Sequence, residues 1–436
     1  MVSRFQRLVS VVLLLVAAAA AQETLRSLSL LHVGDLHAGL LPDMQGRGGF
    51  ARLATAIRRE QQGCTWCLLV NAGDLVQGTP VSTLFRGLPV YQIAGLFHFQ
   101  VSTLGNHDFD YGWQMTRRFL KAGVSPIVSA NVVDGGGHSI TRHGYVIRNV
   151  NGMRVAVIGA LMGNLGNYET PAKLGPWHSL PPIETVRKIA AELGGRADVI
   201  VLLGHLEAAE QAAALHELPE IAVVIGAHVH TALKEAQEFE HRLWVRAECC
   251  GRELGRLDLK VDLPAKKVAS WNWKRIPIDA TIPPASDMAA RVAKWEKRVS
   301  KIVDVPIGES RRELEKVDLQ RLVERAMVEE TGADFGLMNL GGLRDKLPQG
   351  RLLARHVWNI MPFDNKVVIG KFKGSELPPV VAKAHPVDPD REYTLATIDF
   401  IVETGALGTG GLKFPQTGPL LRDLLIDWIK KKQVIE

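Results

Sequence analysis

Five short apolar runs in this chain each close on a glycine-opened turn bearing metal-capable side chains, and that recurrence narrows the fold more than any other feature. Residues 28–33 lead into Gly34, Asp35 and His37, and residues 68–71 into Gly73, Asp74 and Gly78. Residues 101–104 lead into Gly105, Asn106, His107, Asp108 and Asp110. Residues 199–203 lead into Gly204 and His205, and residues 222–225 into Gly226, His228 and His230. Ligands of open α/β sheets gather beyond the carboxyl ends of the strands, so the five turns are expected to converge. The glycines let the backbone turn sharply and come close to an ion. One Asp-x-His or Gly-His alone is usually ordinary turn chemistry; five in series call for another cause.

With 126–130 and 155–160, these runs are rich in Val, Ile and Leu. They read as buried strands of an α/β or layered αββα domain. Helices are expected between them at Phe50–Gln62, 183–193 and 207–217. A chain of 436 residues is long for one domain, and its character changes near residue 280. Residues 277–286 contain prolines and 287–303 are charged and amphipathic, so 281–304 reads as a linker with a connecting helix. That leaves 22–280 as one domain and 305–436 as a smaller α+β domain. The latter has helix signals at 318–330 and 419–432 and strand-like runs at 366–372 and 393–397.

The donors suggest a chemistry. Imidazole, carboxylate and amide oxygen together suit zinc, manganese or iron rather than a calcium cage. A shared carboxylate can bridge two ions about 3.5–4 Å apart, a spacing that clamps the attacking and leaving oxygens of a phosphoryl group. No cysteine belongs to the set, which argues against a structural zinc site.

In this order the motifs resemble those of the calcineurin-like metallophosphoesterases. Gly-Asp-Leu-Val-Gln-Gly-Thr at 73–79 and Gly-Asn-His-Asp-Phe-Asp at 105–110 resemble the branch of 5'-nucleotidases and UDP-sugar hydrolases. The resemblance runs from about residue 28 to the C-terminus. It implies a four-layer αββα sandwich followed by a smaller α+β C-terminal domain. It also implies two divalent cations, zinc, manganese or similar. Asp35, His37, Asp74 and His230 would hold one; Asp74, Asn106, His205 and His228 would hold the other, with Asp74 bridging. His107 and Asp110 would form a catalytic dyad acting after in-line attack by a metal-bound hydroxide. Cationic His107 would then stabilise developing charge and assist the leaving oxygen, with Asp110 orienting it. As a residue alone, Asp110 would also serve as a turn or helix cap.

The C-terminal half adds a substrate side. Asn339-Leu-Gly-Gly-Leu-Arg344 resembles the family's Asn-x-Gly-Gly-x-Arg motif, and Met361-Pro-Phe363-Asp-Asn resembles its Pro-Phe-Gly-Asn turn. By that resemblance Arg344 would fork onto phosphate, Asn339 would hydrogen-bond substrate, and Phe363 and Phe400 would sandwich a base. Either phenylalanine would serve equally as core. Three departures stand out. Residues 404–411 contain no acidic group for ribose hydroxyls. Residues 311–321 place no second phosphate-binding arginine. Only 36 residues separate Phe363 from Phe400, as though a hairpin were missing. The expected activity is hydrolysis of phosphomonoesters, nucleoside 5'-monophosphates first. Phosphodiesters, sugar nucleotides and sulfur esters are the alternatives, and a non-catalytic metal-stabilised binding protein is the rival from another class.

Composition sets the remaining bounds. A 46% hydrophobic and 22% charged chain can bury a sizeable core. Arg4 and Arg7, the apolar run 8–16 and the small residues Ala19 and Ala21 read as a secretory signal cleaved after Ala21. The run is shorter than the roughly 20 residues of a membrane span, so a periplasmic or secreted protein without a stable membrane anchor is expected. The net charge of +6 falls to +4 without Arg4 and Arg7 and is spread along the chain. No basic and aromatic residues interleave for stacking on bases, so no nucleic-acid partner is expected. Cys64 and Cys67 suit a local disulfide in an oxidising compartment. The adjacent Cys249 and Cys250 make poor partners in a zinc site.

Overall fold

The computed structural model describes residues 24–122 and 125–436; the expected leader, 1–21, lies outside them. Strands β1 (Leu25–Val33), β2 (Cys67–Asn71), β3 (Val101–Thr103) and β4 (Ile127–Val128) enter one sheet in turn. A second sheet takes β5 (Tyr145–Val150), β6 (Met153–Leu161), β7 (Val199–His205), β8 (Val223–Ala227), β9 (Gln237–Phe239) and β10 (Arg242–Val245). The chain then returns to the first sheet through β11 (Glu253–Asp262) and β12 (Lys267–Pro277). The orders are β12-β11-β1-β2-β3-β4 and β9-β10-β8-β7-β6-β5.

β1 to β4 run parallel, as do β6, β7 and β8. Parallel neighbours need a crossover, usually a helix. Among these are α1 (Phe50–Gln62), α2 (Trp113–Lys121), α3 (Pro182–Leu193) and α4 (Ala208–Glu217), while two shorter helical segments, Pro80–Leu84 and Leu88–Ala94, carry the chain from β2 to β3. Successive side chains of a strand point to opposite faces, and both faces here are apolar. Leu28, Leu30, Leu68 and Val70 meet Val155, Val157, Val201, Leu203 and Ile225 between the sheets. Leu31, Val33 and Leu69 face outward onto Phe50, Leu53 and Ile57 of α1. Ala156, Ile158, Ile200 and Leu202 face outward onto Val186, Ala190 and Leu193 of α3 and Ala214 of α4. The result is the expected four-layer αββα sandwich.

The run at 126–130 gives only the two-residue β4. Pro126 has no amide to donate, and the Ser129 amide bonds the Thr141 hydroxyl, 3.1 Å away, instead of a strand. Helix α5 spans Ser286–Val303. Met288, Val292, Val299 and Val303 bury one of its faces in the same apolar cluster as α1.

The smaller C-terminal part is α+β. Its strands and longer helices are β13 (Pro306–Ser310), α6 (Lys316–Thr331), β14 (Phe335–Gly336), β15 (Gly350–Leu353), β16 (Lys366–Lys373), β17 (Glu392–Ile398), β18 (Gln416–Leu420), α7 (Leu421–Lys432) and β19 (Val434–Ile435). They form sheets β15-β13-β19 and β14-β17-β16-β18. Leu322 and Met327 of α6 and Leu425 and Trp428 of α7 share their core.

Candidate active site

The turns after β1, β2 and β3 meet the ends of β7 and β8 at one edge of the sandwich. Backbone bonds hold the first two turns together: Asp35 N–H donates to the Gly73 carbonyl and His37 N–H to that of Asp74, both at 3.0 Å. The turns are tightly wound. Asp35, His37, Asp74, His228 and His230 have φ of 52°, 45°, 51°, 78° and 66°, in the left-handed region. Side-chain-bearing residues adopt it at a cost of order 1–3 kcal/mol each, and such strain gathers at functional sites. Two glycines are sterically required. A Cβ on Gly105 would lie 1.9 Å from Asp74 Oδ1, and one on Gly73 would lie 2.7 Å from His205 Nδ1.

Ligand atoms of Asp35, His37, Asp74 and His230 all lie within 4.8 Å of one another. The Nε2 atoms of His37 and His230 face each other at 2.9 Å. Asp74 Oδ2 is buried between His205 Nε2 at 3.2 Å and His37 Nε2 at 3.9 Å. His205 Nε2 is also 3.2 Å from Asn106 Oδ1, while its Nδ1 meets the Ala72 carbonyl at 2.9 Å. The His228 ring lies 5.2 Å from that of His205. Asp35, His37, Asp74 and His230 thus form one group, His205 adjoins it through Asp74 and Asn106 through His205, and His228 stands beside His205 with its Nε2 3.6 Å from Glu207 Oε1.

These residues fit cations. Burial, helped by the nearby Asp74 carboxylate, pushes Asp35 up to about 6 even though His205 opposes it. Burial also holds His37 well below the usual histidine range and brings His228 down to about 4. Against its own burial, His205 is pushed up to about 9 by the Asp74 and Asp35 carboxylates. The unprotonated imidazoles of His37 and His228, beside a buried Asp74 Oδ2 that has no hydrogen-bond partner, form a donor set that divalent cations would satisfy.

A second cluster adjoins the first. His107 Nδ1 lies 3.0 and 3.1 Å from the two carboxylate oxygens of Asp110. The His107 amide donates to Asp74 Oδ1 at 2.9 Å, tying this turn to the centre. Three residues that sequence reasoning passed over hold the carboxylate. Gln77 Nε2 donates to Asp110 Oδ2 at 2.5 Å. The buried Glu169 joins His107 and Asp110 in one group, and Lys173 Nζ pairs with Glu169 at 3.2 Å. Against its burial, His107 and the hydrogen bond from Glu169 hold Asp110 well below the usual carboxylate range. Burial and the Asp110 charge push Glu169 well above it. Gln77 sits inside the Gly73–Gly78 turn and was legible in principle. Glu169 and Lys173, the latter in the short helix Pro171–Leu174, come from a segment with no motif.

On the substrate side, the Phe363 ring stacks on His107, 5.7 Å between centroids. The Arg344 guanidinium carbon lies 6.0 Å from the Phe363 ring centre. Arg344 also faces a cavity of about 870 Å³ with His37 and His230. Asn339 Oδ1 is buried without a hydrogen-bond partner, at the start of the turn Leu340–Gly342. Phe400 behaves differently. It packs against the C-terminal core, and no ring contact joins it to Phe363 among the described residues.

Residues 28–232 match the calcineurin-like phosphoesterase family, and residues 298–385 match the 5'-nucleotidase C-terminal domain family. UshA of Yersinia enterocolitica is 22% identical over 508 residues, covering 94% of this chain and 92% of that protein. Endonuclease YhcR of Bacillus subtilis is 27% identical across 87% of this chain, but this chain spans only 34% of that relative's length. Among solved structures, a 5'-nucleotidase precursor from Thermus thermophilus superposes with a TM-score of 0.85 at 23% identity, covering 94% of this chain and 97% of the other. That likeness establishes the shared fold.

Proposed function

The chain joins a calcineurin-like phosphoesterase domain to a 5'-nucleotidase C-terminal domain, and from this premise we propose that it is a dinuclear-metal hydrolase of phosphomonoesters, nucleoside 5'-monophosphates first. The observation that carries the reading is the convergence of Asp35, His37, Asp74 and His230 within 4.8 Å, with Asp74 Oδ2 reaching toward His205. In this reading Asp35, His37, Asp74 and His230 hold one cation, and Asp74, Asn106, His205 and His228 hold the other. Such cations polarise phosphoryl oxygens and lower the pKa of water.

The remaining roles belong to the chain itself. Asp110 accepts from His107 Nδ1–H, which leaves Nε2 to present a proton to the leaving oxygen. Arg344 supplies a fixed positive charge for phosphate, and Phe363 walls the site beside His107. Asn339 offers an unsatisfied oxygen for a substrate donor. The test is phosphate release from AMP by purified protein with manganese or zinc, repeated with chelator. If neither AMP nor an aryl phosphate is turned over with any divalent metal, the reading fails.

A second reading of the leaving group has its own support. Phe400 packs on the C-terminal core, and residues 404–411 carry no acid for ribose hydroxyls. Sulfur esters, or phosphodiesters without a nucleoside, would not need that pair of contacts. Relative rates on AMP, UDP-glucose, bis(p-nitrophenyl) phosphate and a thiosulfonate decide between them. Export completes the proposal. Cleavage after Ala21 would place the mature protein outside the cytoplasm, and N-terminal sequencing of the protein from its native fraction tests this. The division into 22–280, 281–304 and 305–436 is tested by limited proteolysis.

A further inference from the structure

Cys249 and Cys250 are unbonded to other cysteines, while Cys64 and Cys67 are joined as a disulfide. Their two sulfurs lie only 2.7 Å apart, and Cys250 has a left-handed φ of 64°. Both residues line the cavity that also reaches His37, His230 and Arg344. Cys249 is buried and Cys250 is more exposed, so a reagent entering by the cavity meets Cys250 first. The pair is tied to the candidate metal centre through the main chain. Cys250 N–H donates to the Asp35 carbonyl at 2.6 Å, and Cys249 N–H to that of His230 at 3.4 Å. The Cys250 carbonyl is wedged at Gly39 and Gly48, where any Cβ would lie 2.9 and 3.0 Å from it.

We propose that Cys249 and Cys250 are a thiol pair that closes reversibly to a vicinal disulfide by exchange with a small disulfide admitted through the cavity. The Cys250 thiolate attacks one sulfur of the incoming disulfide, breaks its S–S bond and expels one thiolate. The Cys249 thiolate then attacks Cys250 Sγ, breaks the mixed disulfide and expels the second thiolate. The two cysteine sulfurs are oxidised, the external disulfide is reduced to two thiols, and the two cysteine protons pass to them. Adjacent Cα atoms sit about 3.8 Å apart, short of the roughly 4.4–6.8 Å that an ordinary disulfide spans. A bond formed across that gap is readily reduced, as a reversible one must be. Closing the ring twists the Cys249–Cys250 peptide, and with it the two amides that brace Asp35 and His230. Loss of such supporting contacts typically weakens metal affinity by about 10–100-fold. This second effect rests on Asp35 and His230 being metal ligands; the ring closure does not.

The test uses the full chain loaded with manganese or zinc. Free thiols are counted before and after incubation with glutathione disulfide, and the peptide bearing residues 249–250 is weighed. The expected result is loss of both thiols from a monomer, with that peptide lighter by two hydrogens and carrying no glutathione. Cys249→Ser should instead stop at a glutathione adduct on Cys250. Retention of both thiols, a lasting adduct on the unaltered sequence or an interchain bond overturns the proposal. Should Cys249→Ser fail to fold, the peptide mass of the unaltered chain decides by itself. Metal release to a chelator should be about 10-fold faster from the closed form. Equal release from both forms overturns the coupling to the metal centre while leaving the ring closure standing.

Discussion

The rings of His107 and Phe363 stack at 5.7 Å and 28°, joining the candidate proton donor of the sandwich to the turn that follows Pro362. The Thr83 hydroxyl donates to the Pro362 carbonyl at 2.8 Å, so the same turn is anchored to the sandwich a second time. Aromatic pairs of this kind contribute about 0.5–1.5 kcal/mol beyond their buried area. Phe363→Ala should lower kcat/KM for AMP by about 2–10-fold on that account, with Phe363→Leu intermediate. Steady-state kinetics of both variants check it; unchanged kcat/KM in Phe363→Ala would remove Phe363 from the site.

His107→Ala should slow turnover by about 10²–10⁴-fold, the usual size of an acid–base contribution. Metal content should stay unchanged, because the His107 side chain pairs with Asp110 rather than with the central carboxylate. Elemental analysis beside the rate separates the roles. If the variant loses metal, His107 is a ligand or a structural prop.

Asp74 is fully buried at the meeting point of both candidate cation sites. Asp74→Asn should therefore reduce the metal bound per chain at both, not at one. Chelator should lower the Tm of the unaltered protein, since a ligand held at about 100 times its Kd stabilises by about 2.7 kcal/mol. The same treatment should barely move the Tm of Asp74→Asn. Elemental analysis and thermal melts read both effects.

Glu169 gives a pH signature. Burial first, and then the Asp110 charge, raise its folded pKa well above 4.5. A carboxyl raised on folding favours the fold while protonated. That contribution is complete below the unfolded value of about 4.3 and fades as pH rises through the folded one. Glu169→Gln keeps a donor for Asp110 and removes the titration. Melts at rising pH above about 5 should show the unaltered chain losing stability relative to Glu169→Gln. Parallel curves would mean that Glu169 is ionised in the fold.

Much of this architecture was written locally. The runs at 28–33, 68–71 and 199–203 alternate their side chains between two apolar faces, and each leaves its ligand at the strand end where the structure puts it. Phe50–Gln62 agrees at both ends because Gly49 and Gly63 bound an amphipathic run. What the sequence hid is non-local. Nothing near β1 announces that β11 pairs with it across more than 200 residues. Glu169 and Lys173 reach Asp110 only because the long excursion between β6 and β7 folds back over the third turn. Phe400 was ambiguous for a different reason: a phenylalanine beside a turn looks the same whether it faces a base or its own core.

The candidate ligands come from both sheets: Asp35, Asp74 and Asn106 follow strands of one, and His205, His228 and His230 end or follow strands of the other. Apolar side chains such as Leu28, Leu30, Val155 and Val201 fill most of the space between those sheets, and non-directional contacts of that kind fix separation more closely than lateral register. A displacement of about 1 Å between sheets, enough to cost a reaction about 10²-fold, would break no strand pairing at all. Catalysis here is thus a gauge of alignment between two plates, and warming should extinguish it while every strand is still in place.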